Sequence, residues 1–81
     1  MIKRITPRFI LSDRKYYYLL YFADVGDGDI IAMSQAIERK EIKDPTPMDI
    51  LIQMTRGEDE PVENSELEDL FKGAKIIAII P

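Results

Sequence analysis

The sequence predicts a small α+β domain: a single-layer mixed sheet in the element order β-β-α-α-α-β, with helices packed on one or both faces. Three observations lead there. Two aromatic and aliphatic runs near the start are separated by polar turn residues. The middle carries apolar spacing and cap residues that suit helices. The chain then closes on the β-branched run Ala74 to Ile80. Its 81 residues leave room for one core and a single domain.

Arg8–Leu11 and Lys15–Ala23 read as a hairpin turned by Ser12-Asp13-Arg14. Alternation places Tyr17, Leu19, Tyr21 and Ala23 on one face of the second strand and Tyr16, Tyr18, Leu20 and Phe22 on the other. Both faces therefore need cover or serve as contact surface. The stretch from Asp24 to Asp29, with Gly26 and Gly28, breaks the strand. A helix is expected from about Asp29 to Glu41, on the spacing of Ile30, Met33 and Ile37, with Asp27 or Asp29 as its cap.

Asp44-Pro45 ends that helix, and Thr46-Pro47-Met48-Asp49 opens another, with Thr46 as N-cap and Asp49 at the positive helix end. Met48, Leu51, Ile52 and Thr55 are expected to face inward, with Ile50 and Met54 widening the stripe; Gly57 stops the helix. Ser65 to Glu68 is a capping box before a short third helix that ends at Gly73. Ile76–Ile80, apolar on both faces, is expected as an interior strand beside the Tyr-rich strand or paired with Met1–Ile5.

The composition removes several kinds of chemistry. With no cysteine there is no disulfide or thiolate metal site, and with no histidine there is no His-based triad or imidazole proton shuttle. No apolar run approaches the roughly 18 residues of a membrane span, and no signal peptide stands at the start, so a cytoplasmic, membrane-free protein is expected. The net charge of −4 is uneven. Residues 1–20 hold five cations against Asp13, whereas 58–69 hold seven acids and no base.

Three constellations could carry function. Asp24, Asp27 and Asp29 could ligate Mg²⁺ or Mn²⁺ through hard oxygens, or simply serve as turn and cap residues. Tyr16 and Tyr18, with Arg14 and Lys15, could contact a partner. As a stacking platform for single-stranded nucleic acid they are less favoured, because alternation splits the rings between faces and the domain is acidic. Glu58, Asp59 and Glu60 could dock a basic protein surface.

The helix–Pro–helix unit over residues 20–56 resembles the bifunctional nuclease (DNase/RNase) domain family, through Gly26, Ala32, Ala36, Ile37-Glu38, Pro45 and Asp49-Ile50-Leu51. The resemblance implies a strand–helix–helix core and a nuclease in which Asp49 is the matched polar residue. Met48 departs from it, standing where that family commonly has His, and the family domain is longer. The expected function is a non-catalytic protein-interaction or regulatory module, dimeric or partner-bound, without a cofactor. The alternative is a metal-dependent nuclease using Asp24, Asp27 and Asp29 as ligands.

Overall fold

A computed structural model of the chain describes residues 3–56, 62–63 and 67–81. The strands β1 (Lys3–Ser12), β2 (Tyr16–Gly26) and β3 (Asp29–Glu38) follow one another. A 3₁₀ turn at Arg39–Glu41 leads to helix α1 (Pro47–Arg56), then the two-residue strand β4 (Val62–Glu63), helix α2 (Leu67–Gly73) and strand β5 (Lys75–Ile80). The sheet order is β4-β3-β2-β1-β5, and every pairing is antiparallel. The expected mixed, helix-rich α+β architecture is therefore corrected: among the described residues the chain is an antiparallel sheet dominated by four long strands, with α1 as its one substantial helix.

The largest correction concerns residues 29–41. The expected helix is strand β3, paired with β2 from Tyr16↔Glu38 to Gly26↔Asp29. The turn decides it. Asp27 (φ 56°) and Gly28 (φ 79°) are both left-handed, as the two-residue hairpin connection with an Asp-Gly pair requires. Asp24 Oδ1 accepts a hydrogen bond from the Gly26 amide at 2.9 Å, tying the strand end into the turn. Neither Asp27 nor Asp29 caps a helix.

Gly28→Ala tests this connection. Nothing lies within 4 Å of an added Cβ, so the cost is conformational alone. About 1–2 kcal/mol is expected, measured by chemical denaturation. Gly73→Ala, equally open and without a positive φ, is expected to leave stability nearly unchanged.

The alternation expected along β2 is present. On one face Leu19, Tyr21 and Ala23 join Ile10 beneath Ile50, Leu51 and Met54 of α1, with Tyr17, Ile31, Met33, Ile37, Ala78 and Ile80 around them. On the other, Leu11, Leu20, Ala32 and Ala74 form a smaller cluster with Phe9, Tyr18, Phe22 and Leu70 of α2. The helices thus lie over opposite faces.

Helix α1 starts where expected. The Asp49 amide donates to Thr46 Oγ1 at 3.2 Å, and Asp49 Oδ2 accepts from the Thr46 amide at 2.9 Å. Its buried stripe is rotated from the expected one: Ile50, Leu51 and Met54 are buried, while Met48 and Ile52 are exposed. The third helix runs from Leu67 to Gly73, but its expected cap at Ser65 lies outside the described residues, as does Gly57.

β5 is an edge strand. It pairs with Arg8–Ser12 of β1, neither beside β2 nor against Lys3–Ile5 (Met1 and Ile2 lie outside the described residues), and among the described residues no strand flanks its outer side. Ile76, Ile77 and Ile79 are 46%, 46% and 60% exposed. The sheltered interior strand expected from the two-faced apolar run is overturned.

Candidate functional site

The β1–β2 turn organises one end of the sheet. Asp13 Oδ1 accepts from the amides of Lys15 (2.8 Å) and Tyr16 (2.7 Å), and its Oδ2 accepts from the Tyr18 hydroxyl at 2.5 Å. Both carboxylate oxygens are turned into the hairpin, and the Asp13 charge also attracts Arg39 beside it. The Arg39 amide donates to Lys15 O at 2.8 Å, bringing the end of β3 against the turn. Its Nη1 donates to Ser12 Oγ (3.1 Å) and Asp13 O (2.7 Å), and the guanidinium lies 5.1 Å over the Tyr17 ring.

The result is an open cleft of about 520 Å³ lined by Ser12, Asp13, Arg14, Arg39, Lys75 and Ile77, with Gly73 at its margin. Three cations converge there from three parts of the chain, and Lys75 and Ile77 belong to the open strand β5. A basic cleft and an apolar strand edge thus form one continuous surface. Of the expected contact residues, Arg14 lines this cleft and Lys15 sits in the same turn, with its Nζ 5.6 Å over the Tyr16 ring. Glu58, Asp59 and Glu60 lie outside the described residues.

The tyrosines are occupied within the fold. Tyr16 and Tyr18 sit 5.9 Å apart and tilted at 44°, Tyr18 is bonded to Asp13, and Tyr21 is buried with Arg4 over its ring. Tyr16, Tyr17 and Tyr18 are half-buried, and Tyr18 ties the turn together through Asp13.

Burial, and then the bond to Asp13, push the Tyr18 hydroxyl up from 10.0 to about 12. The Tyr18 hydroxyl in turn leads the causes that hold the Asp13 carboxyl below its ordinary 3.8, with the turn amides and Arg39 also helping and partial burial opposing. The stability tied to Tyr18 is fully present below pH 10 and is lost as pH rises through about 12. That tied to Asp13 is present above pH 3.8 and is lost as pH falls through its lower folded value. In Asp13→Asn, Tyr18 is expected to titrate lower than in the wild type yet still above 10, because burial is its larger cause. A tyrosine-resolved nuclear magnetic resonance titration measures this.

Asp24, Asp27 and Asp29 sit around the β2–β3 turn, where Asp24 caps the Gly26 amide, and no group of three or more acidic residues able to hold a metal occurs among the described residues. Asp49 serves the start of α1, and its bonds with the Thr46 backbone and hydroxyl hold its carboxyl below the usual value. A second concavity of about 350 Å³, between the end of β3 and α1, presents Gln35, Glu38, Glu41 and Gln53. No helix of the described residues is long and apolar enough to cross a membrane.

Sequence reasoning did not single out Arg39 or Lys75 as site residues and expected Ile76, Ile77 and Ile79 to be sheltered. Once residues 29–38 are read as a strand hairpinned to β2, Arg39 falls opposite Lys15, so the signal for it was the Asp27-Gly28 turn. The positions that resemble the nuclease family's first helix, Ala32, Ala36 and Ile37-Glu38, lie on β3. No family model, curated protein or solved structure matches the chain.

Proposed function

We propose that this chain is a non-catalytic protein-interaction module that recruits its partner at the β5 edge, with the basic cleft as a charged contact beside it. One observation carries this reading: among the described residues β5 is an open edge, and three of its four isoleucines, Ile76, Ile77 and Ile79, are exposed. An open edge presents unpaired amides and carbonyls that another strand satisfies, and most proteins guard such edges with charge, proline or bulges. Here Lys75 is the strand's only charge, and its one irregularity is the register shift against β1 at Ile77. Arg14, Arg39 and Lys75 add attraction for an acidic partner and make binding sensitive to salt.

The test compares affinity capture by the immobilised wild-type chain and by Ile79→Lys. A protein retained by the first, lost from the second and released by salt supports the reading. Equal retention by both overturns the edge as the docking surface. Hydrolysis of nucleic acid in Mg²⁺ or Mn²⁺ overturns the non-catalytic reading.

A further inference from the structure

Resting on that reading, we infer that the partner at the β5 edge is a second copy of this chain, added antiparallel so that the two sheets become one. The sequence of the edge argues for self-pairing. Lys-Ile-Ile-Ala-Ile-Ile has apolar residues at every position after the first. Antiparallel pairing of two such strands therefore sets isoleucine and alanine against isoleucine and alanine along the centre. A two-fold arrangement is closed at this contact, since the same patch serves both copies and neither β5 edge is left open.

Charge selects the orientation. Lys75 begins the strand, and antiparallel pairing sends the two Lys75 residues to opposite ends of the ribbon. Their backbones are then roughly 17 Å apart at 3.4 Å per residue. Parallel pairing would set the two ammonium groups side by side next to the cleft that already holds Arg14 and Arg39. Like charges placed directly opposite are unfavourable.

Ile79 stands opposite half-buried Phe9 of β1, so a strand added at β5 would extend the apolar face as well as satisfy the backbone.

The experiment is sedimentation equilibrium of the full chain over a concentration series. The wild type is expected at twice 9.4 kDa. Ile77→Lys and Ile79→Lys, which alter exposed side chains, are expected to raise the dimer dissociation constant at least tenfold with circular dichroism unchanged and with melting lowered only by the lost association, a difference that vanishes at concentrations where both chains are monomeric. Because the chain lacks cysteine, spin labels at Lys75→Cys and, separately, at Ile77→Cys report the geometry. In the dimer the labels at position 75 are expected to lie farther apart than those at 77.

A wild type that remains monomeric, a dimer indifferent to both lysine variants, or labels at 75 closer together than those at 77 would each overturn self-pairing. If a monomeric wild type still captures a protein that Ile79→Lys does not, the interaction module stands and only its occupant is wrong. If it captures nothing, both readings fall.

Discussion

Leu20→Ala is expected to cost about 3 kcal/mol and to lower the melting temperature by more than roughly 10 °C. Leu20 is fully buried in β2, the strand flanked by β1 on one side and β3 on the other. Around it stand Leu11, Ala32 and Ala74, with Phe9, Phe22 and Leu70 at the margin. Truncation removes apolar burial and leaves a void, and the surrounding strands are held by ladder hydrogen bonds that limit their collapse. In a domain of this size that is a large share of a net stability of about 5–10 kcal/mol. Thermal and chemical denaturation measure the effect. A loss below about 1 kcal/mol would mean that the second face is far looser than described.

The second large effect is at the helix. Ile50→Ala is expected to cost about 3 kcal/mol, because Ile50 is 1% exposed and joins α1 to Ile10, Leu19 and Tyr21. Ile52→Ala, two residues on and exposed, is expected to change stability by less than about 0.5 kcal/mol. The pair of variants discriminates between two helix orientations. The stripe through Met48, Leu51, Ile52 and Thr55 makes Ile52 the costly site; the stripe through Ile50, Leu51 and Met54 makes it Ile50.

That rotation shows what was legible in the residues and what was not. The start of α1 was legible, because Thr46 and Asp49 act on backbone groups within one turn of themselves. Its buried face was not: Met48, Ile50, Leu51, Ile52 and Met54 encircle most of the helix, and the sheet beneath selects among them. The β1–β2 hairpin was legible because period-two alternation in Tyr16–Ala23 matches both clusters.

Strand β3 was misread for a definite reason. Ile30, Met33 and Ile37 fit helical spacing, while Ile31, Met33 and Ile37 also fit alternation facing α1. The adjacent β-branched pair Ile30-Ile31 and the Asp27-Gly28 pair favoured the strand, but three nearby aspartates drew the reading toward a helix cap. β5 failed differently. A run apolar on both faces states that the strand needs cover, not whether this chain supplies the neighbour. The sheet order, which is a property of the whole fold, leaves it at the edge. The basic cleft depends on the same long-range pairing, since Arg14, Arg39 and Lys75 meet only after β1, β2, β3 and β5 are assembled.

Residue-resolved amide hydrogen exchange of Lys75 to Ile80 in Ile79→Lys is the most direct test. In the single-copy variant, amides bonded to β1 should exchange slowly and the alternate, outward ones rapidly. The wild type at high concentration should protect both sets. Uniform protection of all six amides in the variant would mean that this chain already covers the edge; uniformly fast exchange would mean that the strand is not in the sheet. Either result contradicts an open β5 edge as the contact surface.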